Sequence, residues 1–178
     1  MYSIISTLDP ISSEAVEQLR SLLEGNCKPL SKVHVLEPHM SWLGAEGGDL
    51  PAIADRLTDI AHSIKPIELE TAGYGIFPGP EPVFYLPVIT TRKLLRIHQK
   101  LWKELSTDIV SGNQQYRPDH WMPHITVFDV DNKVADDLSC AIRDILLTDF
   151  HLKFTIDQFK LAYYQNDQYG YHSVHHFS

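Results

Sequence analysis

The chain has 178 residues, 43% hydrophobic and 21% charged, with a formal net charge of −8. This length fits one domain with a sizeable interior, and the composition is that of an ordinary soluble globular protein. The acidic balance argues against extended tracking along nucleic acid, which rests on many phosphate contacts, yet it leaves room for a local site for one phosphate.

Met1-Tyr2-Ser3-Ile4-Ile5-Ser6-Thr7-Leu8 has no basic leader before its apolar residues and reads as a first strand, not a signal peptide. Asp9-Pro10 and Ser12-Ser13 then supply helix-start chemistry, Val16, Leu19, Leu22 and Leu23 recur at helical spacing, and Gly25-Asn26 closes the helix. Residues 32–43 form an extended segment. Asp49 and Pro51 open a second helix with an apolar stripe of Ile53, Leu57, Ile60 and Ile64, and Pro66 ends it before a strand over residues 67–72. Residues 73–82, rich in Gly and Pro, read as a loop near the middle of the chain.

After it, residues 83–89 are again extended. Thr90 or Thr91 caps a third helix that buries Leu94, Ile97, Leu101 and Leu105. A polar loop, residues 112–120, leads into Trp121-Met122-Pro123-His124-Ile125-Thr126-Val127-Phe128, a strand opened by proline. Asp131 or Asn132 caps a fourth helix built on Val134, Leu138, Ala141, Ile142 and Ile145. Strands over residues 152–163 and 171–177 finish the chain. The order is β-α-β-α-β, a loop, then β-α-β-α-β-β, so the sequence halves are roughly 1–78 and 79–178 of a single bilobal domain.

Each half places a His-x-Ser/Thr tripeptide on the strand between its two helices: His39-Met40-Ser41 and His124-Ile125-Thr126. Strand side chains alternate, so each histidine shares a face with the hydroxyl two residues on. The tripeptide alone is weak, since His176-Phe177-Ser178 also matches at the chain end. What strengthens the pair is that both follow proline, both lie in apolar strands and both hold matching places. An α+β fold with a pseudo-two-fold axis then brings the two strands face to face across a cleft. Displacement at phosphorus needs a base where the nucleophile enters and an acid where the leaving oxygen departs. Histidine serves either task near neutrality. Ser41 and Thr126 can donate hydrogen bonds to the non-bridging oxygens.

These two stretches resemble the paired His-x-Thr/Ser motifs of the 2H phosphoesterase superfamily, the 2′-5′ RNA ligase and cyclic phosphodiesterase-like proteins. The second motif is similar almost position for position, and the first is looser, with serine at the hydroxyl position. The resemblance implies an α+β, bilobal fold of two antiparallel-sheet lobes flanked by helices, with pseudo-two-fold symmetry and a central cleft. It also implies no metal or other cofactor, and opening of 2′,3′-cyclic phosphates or making and breaking of 2′-5′ linkages at nucleotide or RNA ends. His39 and His124 are then the catalytic pair, and Ser41 and Thr126 the phosphate-binding residues.

Other features carry a plainer reading beside a functional one. Arg92, Lys93, Arg96, Lys100 and Lys103 share about 100° of the third helix, as a solvated face or an approach path for an RNA end. His98 on that helix is a packing histidine. Tyr74, Phe77, Phe84, Tyr85, Tyr116 and Trp121 can stack on a base, although core or rim packing is their default role. Lys32, Arg117 and Lys160 are candidate phosphate holders. His120, His124, His172, His175 and His176 invite a metal reading, but Pro123 breaks the helix that the first two would need. Cys27 and Cys140 lack metal or redox spacing, which makes reduced thiols and a cytoplasmic location the default; a monomer is the separate expectation. The competing functions are a phosphodiesterase, a non-catalytic module that binds a phosphate or RNA end in the same cleft, and a structural domain.

Overall fold

Helix starts in this chain are set by side chains that satisfy the free N–H groups of a first turn. Asp9 accepts from the Ser12 N–H (3.0 Å) ahead of α1 (Pro10–Asn26), Asp49 from Ala52 (3.1 Å) ahead of α2 (Leu50–His62), and Thr91 from Leu94 (3.1 Å) ahead of α3 (Arg92–Leu105). A fourth helix, α4, spans Leu138–Leu147. The strands are β1 (Tyr2–Thr7), β2 (His39–Ala45), β3 (Ile67–Glu70), β4 (Gly75–Phe77), β5 (Val83–Pro87), β6 (His124–Asp129), β7 (Lys153–Ile156), β8 (Gln158–Gln165) and β9 (Gln168–His176). The computed structural model describes residues 1–26, 37–79, 82–109, 114–129, 138–165 and 168–178. Cys27, Lys32, Asp131, Asn132 and Val134 lie outside the described residues, as do the side chains of Leu138, Cys140 and Ala141.

An antiparallel sheet of order β4-β5-β6-β2-β1-β8-β9 carries the fold, and β3 and β7 pair in a second, two-stranded sheet. This is the α+β architecture expected of the chain. The units on either side of the β2–β6 seam repeat, β1-α1-β2-α2-β3 as β5-α3-β6-α4-β7, with β4 added at one edge of the sheet and β8 and β9 at the other; α1 packs on α4, and α2 packs on α3. Ile4, Met40, Trp42, Leu57, Leu94, Leu101, Ile125 and Phe159 are wholly buried between helices and sheet. Each contributes about 1.5–3 kcal/mol by leaving water.

Three local expectations change. Leu22, read as part of the α1 stripe, is 47% exposed while Val16, Leu19 and Leu23 are buried. The middle loop contains β4, a three-residue edge strand whose Gly and flanking Pro hide its alternation. The strand read over residues 152–163 breaks at Asp157 into β7 and β8, which belong to different sheets.

The two motif strands lie side by side rather than opposed across a gap. They are paired at Met40 and Ile125, at the centre of the sheet.

Candidate active site

Met40 and Ile125 both point into the core and are wholly buried. Their neighbours in each strand therefore share the opposite face. Extending the pairing by one residue each way sets His39 against Thr126 and Ser41 against His124. All four residues the sequence singled out come together. The two histidines are diagonal neighbours, a relationship that separates strand positions by about 7–8 Å. All four side chains are partly exposed.

Both strands carry a bulge just beyond the hydroxyl residue. In β2, Leu43 pairs with Ile4 and Ser41 with Ile5, which leaves Trp42 as the extra residue. In β6, Phe128 pairs with Phe84 and Thr126 with Tyr85, which leaves Val127 as the extra residue. Trp42 and Val127 occupy equivalent places, each three residues after its histidine. Bulges bend a strand and leave backbone groups without ladder partners. Here side chains from elsewhere satisfy them: Trp121 Nε1 donates to the Ser41 carbonyl (3.0 Å), and Arg20 donates to the carbonyls of Thr126 (2.7 Å) and Val127 (2.9 Å). Trp121 stacks on Trp42 (centroids 5.4 Å apart) and on His98 (3.9 Å), so His98 is indeed a packing histidine, wholly buried on α3.

The imidazoles are held alike. His39 Nδ1 lies 2.9 Å from the carbonyl of Glu37, and His124 Nδ1 lies 2.7 Å from the carbonyl of Met122, each two residues upstream. A carbonyl only accepts, so both rings carry their neutral-state proton on Nδ1 and leave Nε2 available to a substrate. Burial pushes both histidines below the usual imidazole value. At His39 the charges of Arg20 and His124 push the same way, against the Glu37 carbonyl and carboxylate. Phe77 and Tyr85, stacked on each other at 4.1 Å, meet the His124 ring edge-on at 5.0 and 5.2 Å. Beside them opens a pocket of about 670 Å³ lined by Phe77, Tyr116, Trp121, Met122, His124 and Thr126 among others. The Tyr116 phenol is pushed up by burial, against a hydrogen bond with Ser41.

The remaining candidates divide. Lys160 is paired with Glu37, and Arg117 with Asp119 at 3.2 Å. The five cations of α3 are exposed on the side turned away from His98, where Lys93 reaches the Pro66 carbonyl and Lys100 the Ser63 hydroxyl. Phe84 is buried against Phe128. His175 is hydrogen-bonded to Thr58 and Ser173, both at 2.8 Å, and His120 is 3.6 Å from Asp119. Among the described residues no group of three or more His, Cys, Asp or Glu is placed to hold a metal. No described helix is long and apolar enough to cross a membrane. Arg20 and Glu37 were not visible as site residues in the sequence. Only Glu37's place two before His39, like that of Met122 before His124, could have pointed to one of them.

Solved structures share this fold over nearly the whole chain. TT0787 of Thermus thermophilus superposes with a TM-score of 0.69 at 16% identity, covering 99% of this chain and 97% of its own. E. coli LigT complexed with 3′-AMP gives 0.64 at 15% identity, with the same coverage. Kluyveromyces marxianus Usb1 gives 0.53 at 9%, covering 96% of each chain. A Bacillus licheniformis protein named "Putative phosphoesterase" is 24% identical over 117 residues, 65% of this chain. That match spans 63% of the relative's length. The family model for the 2′-5′ RNA ligase superfamily matches residues 7–168, a span that holds both motif strands, and the chain belongs to that superfamily.

Proposed function

We propose that the protein is a metal-independent phosphodiesterase that opens 2′,3′-cyclic phosphates, or acts on 2′-5′ linkages, at nucleotide or RNA ends. The observation that carries this reading is the shared Nδ1-to-carbonyl anchoring of His39 and His124. It leaves two Nε2 atoms free on one face of the sheet, on diagonally related strand positions.

In the hydrolytic direction one imidazole, neutral, takes a proton from water as the water oxygen bonds to phosphorus. The other, protonated, gives its Nε2 proton to the departing ribose oxygen as the P–O bond breaks, and the product is a phosphomonoester. The roles exchange when the reaction runs backwards. Ser41 and Thr126 donate to the non-bridging oxygens, where charge grows. Each acid or base contributes about 10²–10⁴ in rate. A nucleotide ligand is in keeping with LigT having been crystallised with 3′-AMP.

The test is turnover of a 2′,3′-cyclic nucleotide in excess chelator by the wild type and by His39→Ala and His124→Ala. Loss of activity in both variants supports the assignment, and full activity in both removes it. Tight binding of the nucleotide by the wild type with no product formed would favour a non-catalytic binding module instead.

A further inference from the structure

The internal repeat gives His39 and His124 the same backbone anchor but different support behind it. The carbonyl behind His124 belongs to Met122, whose side chain is 53% exposed. Its ring is steadied from the side by Phe77 and Tyr85 on β4 and β5. The carbonyl behind His39 belongs to Glu37, and there the side chain is tied down as well. Its Oε1 accepts from the Lys160 ammonium on β8 and from the Tyr171 hydroxyl on β9 at 2.6 Å. Lys160 Nζ also sits 4.6 Å over the Tyr171 ring, and the Lys160 side chain is only 12% exposed.

Register explains why these strands reach the motif. Ser41 pairs with Ile5, and Ile5 pairs with Lys160, so Lys160 rises in the same cross-strand row as the first motif's hydroxyl. Glu37 precedes β2 and lies outside its ladder. Pro38, next to it, has no N–H to give and offers only its carbonyl, to Leu8 at 3.3 Å. The tie on the Glu37 carboxylate therefore adds a second anchor, beside the Leu8 bond to Pro38, to the stretch just ahead of His39.

We propose that Lys160 and Tyr171 are positioning residues for the first histidine. By holding Glu37 they hold the carbonyl that sets the tautomer and aim of His39, so the β8–β9 hairpin governs one imidazole of the pair and not the other. This rests on the acid–base reading above. The carboxylate stays ionised in this setting: burial opposes its charge, but the hydrogen bonds from Lys160 and Tyr171, with the lysine's charge, keep it below the usual glutamate value. When the tie is cut, the carbonyl is free to leave Nδ1. The ring is then released to the tautomer with its proton on Nε2, the nitrogen that must be bare to act as a base.

The experiment compares Lys160→Met, Tyr171→Phe and Lys160→Arg with the wild type. It follows histidine ring nitrogens by NMR and steady-state turnover of a 2′,3′-cyclic nucleotide. In the wild type both motif histidines show the Nδ1–H form. In Lys160→Met and Tyr171→Phe the His39 signals move toward a tautomer mixture while those of His124 stay put. In the same variants kcat falls roughly 10- to 100-fold, the scale of a small misplacement of a reacting group, with KM little changed. Lys160→Arg restores both readouts.

An unaltered His39 tautomer in Lys160→Met and Tyr171→Phe overturns the proposal. So does a raised KM with kcat kept in Lys160→Met, which would make Lys160 a direct phosphate contact. Tyr171→Phe removes one oxygen and guards against a folding artefact. If the wild type turns over no cyclic nucleotide, the acid–base reading falls, and the tautomer measurement alone still decides whether the hairpin positions His39.

Discussion

Met40 stands directly opposite Ile125 across the seam between β2 and β6, and neither side chain has any exposed surface. This contact fixes which face each motif strand turns to the core, because a slip of one residue would bury the histidines and expose the apolar pair. Met40→Ala leaves a cavity at the centre of the sheet. The expected loss is about 2–5 kcal/mol, read from urea unfolding. A loss under about 1 kcal/mol would mean the seam closes by collapse and the register is held elsewhere.

Under the proposed acid–base mechanism, the histidine pair also sets the pH dependence of turnover. One ring must be bare and the other protonated, so kcat/KM follows a bell whose limbs belong to the pair as a whole. Burial lowers both rings below the ordinary histidine value of 6.5. The acid limb, where the base gains its proton, and the alkaline limb, where the acid loses its own, both fall on the acid side of that value. A pH–rate profile in chelator that peaks well above it would contradict the burial of the two rings.

Arg20 joins the second bulge to the first histidine. Its guanidinium satisfies the carbonyls of Thr126 and Val127, and its charge disfavours protonation of His39. Arg20→Met should cost about 2–4 kcal/mol, since two strand carbonyls lose a charged donor. It should also raise the pKa of His39 and carry one limb of the pH profile toward neutrality. Histidine NMR titration separates that shift from the stability loss. An unmoved His39 titration would show that Arg20 acts through the strand alone.

What the sequence could and could not show follows from the range of the interactions involved. Proline, β-branched residues and alternation are local, so the strands around His39 and His124 were legible, as were the Asp49 and Thr91 caps. The α3 stripe of Leu94, Ile97, Leu101 and Leu105 was legible by its period and is buried throughout. The seam was not: face-to-face and side-by-side motif strands share one hydrophobic pattern, and only the ladder tells them apart. Glu37 finds its partners 123 and 134 residues away, and Arg20 reaches 106 and 107 residues to β6. No window along the chain contains such pairs.

Gly75 owes its place to Tyr85. The two pair across β4 and β5, and a Cβ built on Gly75 would collide with the Tyr85 ring. That ring is part of the edge-on grip on His124. Gly75→Ala must displace it. The expected result is a stability loss of about 1–3 kcal/mol from overpacking and a fall in kcat, with His124 shifting in the NMR spectrum while His39 does not. Unchanged kcat in the folded variant would show that the grip on His124 has no part in turnover.

His98 should make the fold itself sensitive to acid. Its ring is wholly buried, stacked 3.9 Å from Trp121 with the planes 5° apart. Burial lowers its pKa to about 4, against weaker pulls from the backbone of Trp42 and Tyr116. The unfolded chain therefore binds this proton more readily than the folded one between the ordinary value of 6.5 and about 4. Stability from His98 is fully present above that window and is lost as the pH falls through it, on the order of 3 kcal/mol in all. His98→Phe keeps a flat ring on Trp121 and removes the titration. Urea unfolding of both proteins across the window should show the wild type losing more stability than the variant by about that amount. Curves that run parallel would mean the folded protein accepts a proton at His98 as easily as the unfolded chain does.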